Sequence, residues 1–121
     1  MDLEQAIQAH ASWKQKLTIC LERPGGTPKA AEIRADSRSE LGQWLYGEGK
    51  KFASLDEYKI LLAEHARFHL AAAKAMETVR AGQATKEEVT QNNDSEFASA
   101  SRNVVAAITA LKDRVAARQR A

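Results

Sequence analysis

Apolar residues recur at steps of three and four along most of the chain, and this periodicity is the feature that most restricts its fold. Such spacing places apolar side chains on one face of a helix. Residues 3 to 21 carry a stripe made of Leu3, Ile7, His10, Trp13, Leu17 and Leu21. Residues 55 to 81 carry a second stripe made of Tyr58, Leu61, Leu62, His65, Phe68, His69, Ala72, Met76 and Val79. We therefore expect helices that each bury one face.

Turn and capping signals divide these helices from one another. The two prolines and two glycines between Pro24 and Pro28 predict a loop, after a first helix that ends near Arg23 and before a short helical turn over residues 29 to 33. Three S/T-x-x-E segments predict further helix starts, because hydroxyl and carboxylate each bond a free backbone amide. They are Ser37 to Glu40, Ser54 to Glu57 and Thr85 to Glu88.

The remaining boundaries complete a bundle. We expect a second helix from Ser37 to about Tyr46, a third from Leu55 to about Ala81 before Gly82, and a brief helix over residues 85 to 91. The last helix begins at Asp94 or Ser95, with a heptad-like stripe of Phe97, Ser101, Val104, Ile108, Leu111 and Val115. Helices that are apolar on one face only and have short connections favour an all-α fold. The expected architecture is an up-and-down four-helix bundle with short extra helices in the connections. We expect residues 1–121 to form one domain with a core from about 3 to 111.

Composition excludes several classes of protein. The 18 basic and 16 acidic residues give a net charge of +2 and are spread along the chain, which argues against a nucleic-acid partner. Basic residues near the C-terminus fit a helix end, where positive charge is favourable: they are Lys112, Arg114, Arg118 and Arg120. No apolar run approaches the roughly 18 residues that span a bilayer, and the N-terminal residues do not show a basic segment followed by an apolar run. Cys20 is the single cysteine, so we predict a cytoplasmic protein without an intrachain disulfide.

The three histidines all lie on apolar stripes. A lone histidine on such a face is more often a core residue with one hydrogen bond than a ligand. His65 and His69 are four residues apart, however, and stack on one helix face with Cβ atoms about 5–6 Å apart. Two imidazoles at that spacing can reach one ion. From helical geometry alone, a metal site and a buried core pair remain equal alternatives.

The context of these histidines resembles a known family. The segments are His10-Ala-Ser-Trp13, Ser39-Glu-Leu41-Gly42-Gln-Trp44-Leu-Tyr-Gly47-Glu-Gly49 and His65-Ala-Arg-Phe68-His69. Their order and spacing closely resemble the chemoreceptor zinc-binding (CZB) domain family, over about Leu3 to Leu111. The resemblance implies a four-helix bundle that binds one Zn²⁺, commonly as a homodimer. It also implies His10, His65 and His69 as ligands, with Ser39 at the position where the family has a cysteine.

The serine weakens the expected site, because a neutral hydroxyl is a poorer zinc ligand than a thiolate. Cys20 cannot replace it, since ten residues of helix separate Cys20 from His10 by about 15 Å; we expect a small buried hydrophobe there. Asp36 is the nearest carboxylate, although an aspartate at that place more often caps or leads into a helix. Water or an anion remains a further alternative for the fourth position.

The neighbouring residues have ordinary interpretations. We expect Trp13, Trp44 and Phe68 to be core aromatics that keep the site dry. A glycine inside a helix costs about 1 kcal/mol relative to alanine, so Gly42 indicates close packing or the approach of another chain's backbone.

Four functional interpretations compete at this point. The resemblance implies a zinc-binding sensory or regulatory domain of bacterial signalling, of the chemotaxis or cyclic-di-GMP type, that acts on a signalling protein or a fused signalling domain and is not an enzyme. The alternative is a metal-free structural helical module that dimerises. A zinc hydrolase would need a general base beside the metal, and the predicted ligand stripes carry no carboxylate. A di-iron bundle would need repeated Glu-x-x-His pairs, which are absent.

Overall fold

The computed structural model describes residues 2–21, 30–90, 92 and 94–120, and within them every regular element is a helix. The α-helices are α1 (Leu3–Leu21), α2 (Ala30–Arg34), α3 (Glu40–Tyr46), α4 (Asp56–Arg80), α5 (Lys86–Thr90) and α6 (Glu96–Arg120). Two 3₁₀ helices, Asp36–Arg38 and Glu48–Phe52, flank α3. The described ranges contain no strand, and the prediction of an all-α fold is confirmed.

The core lies between the apolar faces of α1, α3, α4 and α6. The long helices α4 and α6 pack along each other, α1 packs against α6, and α3 against α1. Short helices α2 and α5 lie in the connections and pack mainly on α4 and α6 respectively. The side chains at the centre are almost fully buried: they are Leu17, Leu45, Leu61, Phe68, Met76, Val104, Ile108 and Leu111. The architecture is therefore the predicted helical bundle with short helices between its main members.

Several predicted boundaries are confirmed. Helix α4 ends two residues before Gly82, whose φ of +74° is the left-handed conformation that glycine adopts most readily. The Thr85 hydroxyl accepts a hydrogen bond from the Glu88 amide at 3.1 Å, and the Glu88 carboxylate accepts one from the Thr85 amide at 3.4 Å. This is the predicted capping box of α5. The Ser95 hydroxyl caps α6 by accepting from the Ala98 amide at 3.1 Å.

Two of the predicted capping boxes, at Ser37 and Ser54, do not form. Residues 36–38 form a 3₁₀ turn, and the hydroxyl that caps α3 belongs to Ser39, not to Ser37. The Ser39 Oγ accepts the Gly42 amide hydrogen at 3.1 Å, so α3 begins three residues later than predicted. Helix α4 begins within one residue of its predicted start, but Leu55 occupies the N-cap position and no side-chain cap forms. The Ser54 box is therefore a sequence match without the hydrogen bonds that define the motif.

Some predictions lie outside the described residues. These are the first helix's end near Arg23, the loop from Pro24 to Pro28, and the starting residue Lys29 of the short turn, whose remainder is α2. In the described part of the chain, no helix combines the length and apolarity needed to cross a bilayer.

Candidate metal centre

A buried cavity of about 10 Å³ lies where α1, the start of α3 and the middle of α4 meet. A volume near 10–15 Å³ holds about one water-sized occupant. Four polar residues line it, and they are the predicted ligands His10, Ser39, His65 and His69. Four apolar residues complete the described lining, namely Ala9, Trp13, Leu41 and Phe68. The fold thus brings the four predicted site residues to one cavity.

Three of these residues meet within hydrogen-bond distance. The Nε2 atoms of His65 and His69 are 3.1 Å apart, and the Ser39 Oγ is 3.2 Å from the same His65 nitrogen. A tetrahedral zinc ion with bonds of about 2.0–2.1 Å separates its ligand atoms by about 3.3 Å. The two distances from the His65 nitrogen, to the His69 nitrogen and to the Ser39 oxygen, are therefore each close to one edge of a zinc coordination tetrahedron.

The tautomer of His69 is set by the backbone of α2. Its Nδ1 lies 2.8 Å from the carbonyl oxygen of Ile33. Because a carbonyl oxygen only accepts hydrogen bonds, Nδ1 carries the hydrogen, and the Nε2 of the neutral ring carries a lone pair. Zinc-binding histidines commonly have this arrangement, in which one nitrogen donates to a protein oxygen and the other faces the metal.

The two ring nitrogens of His65 have very different surroundings. Its Nε2 faces the lone pair of His69 and the Ser39 oxygen, whereas its Nδ1 is buried and has no hydrogen-bond partner among the described residues. A buried polar atom without a partner costs about 1–3 kcal/mol. Among the described residues, the Nδ1 of His65 thus lacks the oxygen partner that the outer nitrogen of a zinc-binding histidine commonly has.

Ser39 has three hydrogen-bonding contacts in a buried position. Its Oγ accepts from the Gly42 amide, lies 3.2 Å from the Asp36 carbonyl oxygen to which it can donate, and faces His65. Donation to Asp36 and acceptance from Gly42 leave one oxygen lone pair directed at the histidines. A Cβ on Gly42 would collide with the Asp36 carbonyl oxygen, so the close packing predicted at this glycine is found within the chain itself.

His10 shares the cavity wall but bonds elsewhere. Its Nε2 lies 3.0 Å from the Oγ of Ser101 on α6, and both side chains are buried, with 3% and 2% of their surface exposed. Sequence reasoning placed Ser101 on an apolar stripe without assigning it a role. Its one signal was a polar residue in a stripe otherwise made of Phe, Val, Ile and Leu.

Burial keeps all three imidazoles neutral. Desolvation, followed by the charge of Lys14 and the neighbouring rings, lowers the pKa of His10 to about 3. Desolvation and the adjacent His69 lower the pKa of His65 to about 4. The pKa of His69 is also lowered by burial, although its bond to the Ile33 carbonyl opposes the shift. The rings are thus deprotonated at neutral pH, as metal binding requires.

The described residues contain no group of three His, Cys, Asp or Glu side chains in an arrangement that could hold a metal ion. Serine is not one of these residue types, and the Nε2 of His10 is bonded to Ser101. Three residues therefore meet at one point, Ser39, His65 and His69, while His10 lines the same cavity with this nitrogen engaged. The ligand set inferred from the resemblance stays a prediction.

The remaining residues named from the sequence occupy the following places. Trp13 is half-buried, with its ring 4.5 Å from that of His69. Trp44 is a core residue outside the described cavity lining, and its ring is tilted against that of Phe52 with the centroids 6.2 Å apart. Cys20 is partly buried against the core. The Asp36 carboxylate accepts from the Tyr46 hydroxyl at 2.8 Å, and no side-chain cap forms at that 3₁₀ turn.

The fold and the cavity define a class, the all-α bundles that gather histidines in their core. A family model described as "Chemoreceptor zinc-binding domain" (CZB) matches residues 10–76, which is more than half of the 121 residues and includes all four predicted ligands. The chain belongs to this family, whose members are zinc-binding domains of chemoreceptor-type signalling. Comparisons with curated proteins and with solved structures gave no match.

Proposed function

We propose that this chain is a zinc-binding sensory domain in which His65, His69 and His10 hold one Zn²⁺ and Ser39 occupies the fourth position. The observation that supports it most is the buried contact of two imidazole nitrogens and one hydroxyl oxygen at 3.1 and 3.2 Å. Neutral rings with a preset tautomer at His69 favour the same function.

The ligand atoms suggest how the side chains accommodate an ion. In the metal-free chain one hydrogen on the His65 Nε2 can be shared between the His69 nitrogen and the Ser39 oxygen. If the same three atoms held an ion, the Nε2 of His65 would have to carry a lone pair, and the hydrogen of the neutral ring would lie on Nδ1. When bound, zinc supplies a Lewis-acidic positive charge that only lone pairs can satisfy.

A regulatory role fits the cavity better than catalysis. None of the residues described as lining it is a carboxylate that could act as a general base, and a 10 Å³ cavity does not admit a substrate beside an ion. We therefore propose that zinc occupancy is the signal, read by a signalling protein or a fused signalling domain of the chemotaxis or cyclic-di-GMP type. Homodimerisation remains a prediction from the family resemblance, and light scattering at several protein concentrations measures it.

Zinc titration of tag-free, metal-free protein against a fluorescent chelator tests the proposal. We expect one zinc per chain, and a loss of affinity of at least about tenfold in His65→Ala and His69→Asn, since even outer-shell partners of zinc ligands change affinity by that factor. The asparagine amide that His69→Asn introduces can still donate to the Ile33 carbonyl, so this variant removes the ligand nitrogen and keeps the local hydrogen bond.

Gln15→Ala is the control, because Gln15 is exposed on α1 and does not line the cavity. Circular dichroism checks that each variant is helical. Equal zinc affinity in the control and in both histidine variants would reject the proposed ligands.

A further inference from the structure

A surface pocket of about 180 Å³ lies directly beside the buried cavity. The pocket and the cavity share three wall residues, which are Ala9, Trp13 and Ser39. On its outer side the pocket is lined by the exposed residues Ser12, Lys16 and Glu40. The pocket therefore reaches from solvent to the residues that close the candidate metal centre.

The shared wall is the least densely closed side of the cavity. Trp13 and Ala9 are partly exposed, and Ala9 has no side chain beyond Cβ. Four of the other lining residues have no more than 2% of their surface exposed, namely Leu41, His65, Phe68 and His69. An ion that enters past Ala9 and Trp13 passes partly exposed side chains, whereas an ion that enters past those four residues has to open the packed core.

The other face of α1 offers no such approach. A pocket there is lined by Ala11, Lys14, Gln15, Thr18 and Ile19, and none of these residues lines the cavity. Ala11 and Ser12 are consecutive, both are exposed, and they belong to different pockets. A larger side chain at position 11 or at position 12 therefore obstructs only one of the two pockets.

We propose that this surface pocket is the entrance through which a divalent cation reaches the buried histidines and leaves them. The pocket is lined by Ala9, Ser12, Trp13, Lys16, Ser39 and Glu40. Trp13 and Ala9 form its inner gate, and Ser39 is the first ligand that the ion meets. This inference rests on the proposed zinc-binding function and adds its route of access.

An entrance has a kinetic signature that a ligand does not have. An obstruction raises the barrier that the ion crosses in both directions, so the association and dissociation rate constants fall by the same factor. The dissociation constant, which is their ratio, stays unchanged. Loss of a ligand instead increases dissociation and weakens affinity.

Ser12→Trp tests the entrance, and Ala11→Trp is its matched control. Stopped-flow fluorescence measures Zn²⁺ association with the metal-free full chain, and mixing the zinc-loaded chain with excess EDTA measures dissociation. We expect Ser12→Trp to slow both rate constants by about tenfold, which corresponds to about 1.4 kcal/mol added to the barrier. Ala11→Trp should leave both rate constants close to those of the unmodified chain.

Three results would overturn the inference. Equal rate constants in the two tryptophan variants would show that zinc enters by another route or through local unfolding. A change in the dissociation constant of Ser12→Trp, with one rate constant altered, would show a perturbed ligand and no obstruction. If the unmodified chain binds no zinc, the proposed function fails and the entrance fails with it, a result distinguishable from both others.

Discussion

The Nε2 of His10 lies 3.0 Å from the Oγ of Ser101, and this bond connects the first helix to the last one inside the core. Four threonines on the helices, among them Thr109, direct their hydroxyls to the carbonyl four residues earlier. The hydroxyl of Ser101 instead bonds across the bundle. Ser101 also lies beyond the family-matched residues 10–76, so the candidate metal centre depends on a helix outside that segment.

Replacement of this hydroxyl should destabilise the metal-free protein. Ser101→Ala leaves a buried ring nitrogen of His10 without its partner, and we expect the free energy of unfolding to fall by about 1–3 kcal/mol. Urea unfolding followed by circular dichroism measures it. Thr109→Ala, which removes an exposed hydroxyl from the same helix, is the control and should change stability little. A double-mutant cycle with His10→Ala should give a clear coupling energy; additive effects would contradict the bond.

Gly42→Ala should disrupt the start of α3 and with it the position of Ser39. A Cβ there would collide with the Asp36 carbonyl oxygen and lie 3.1 Å from the Ser39 Oγ. Because the obstacle is backbone, we expect a loss of at least about 1–3 kcal/mol in stability, the usual range for overpacking, together with weaker zinc binding. Urea unfolding and zinc titration measure the two effects. Gln43→Ala, at the next and exposed position, should be nearly neutral, and equal behaviour of the two variants would contradict this account.

The stability of the metal-free chain should fall on acidification. Burial lowers the pKa of His10 to about 3 and of His65 to about 4, against 6.5 for an unburied imidazole. Below pH 6.5 the unfolded chain binds protons that the folded chain does not, so stability decreases as the pH falls toward 4. Each such histidine contributes about 1.4 kcal/mol per pH unit within that range.

Urea unfolding at pH 7 and pH 5 measures the effect, and His10→Ala should show a smaller pH dependence than the unmodified chain. An unchanged dependence in that variant would show that another group is responsible. In the presence of zinc, the stability should fall more steeply on acidification, because protons then compete with the ion for the same nitrogens.

Ser39→Cys should strengthen zinc binding and make it sensitive to oxidants. A thiolate is a charged, soft ligand in place of a neutral hydroxyl, and its oxidation removes a ligand. The experiment needs a Cys20→Ala background, because Cys20 is a free thiol. Zinc titration and peroxide-triggered zinc release, read with a chelating dye, measure the two effects. If neither changes, position 39 does not contact the metal.

Ser39 also caps α3, so the same substitution should weaken the metal-free fold. Sulfur is a poor acceptor for the Gly42 amide, and loss of an N-cap costs about 1 kcal/mol. Higher zinc affinity together with lower metal-free stability in Ser39→Cys would show that residue 39 both contacts the metal and caps α3.

The sequence predicted the fold and the cavity lining well, and the reasons are local. The stripe spacing that defines α1 and α4 also orients His10, His65 and His69 toward the core. The Thr85 capping box formed, since both of its partners lie within one helical turn. The start of α3 was missed, because the 3₁₀ turn and the backbone approach at Gly42 make Ser39 the cap.

The partner of His10 could not be predicted for a different reason. Ser101 is 91 residues away in sequence, and no local pattern specifies which buried side chain of one helix meets which side chain of another. The packing of α1 against α6 alone decides that contact. Similarly, nothing near His69 in sequence indicates that the Ile33 carbonyl orients its ring.

The bond between His69 and Ile33 couples helix α2 to the candidate metal centre. Helix α2 has five residues, too few to be stable by itself, and its carbonyl at Ile33 is bonded to the ring whose other nitrogen faces the cavity. Restricting the motion of that ring also restricts α2. Amide hydrogen exchange along residues 33 to 38 should therefore slow when an ion is bound, so this connection can carry a change in the core to the protein surface.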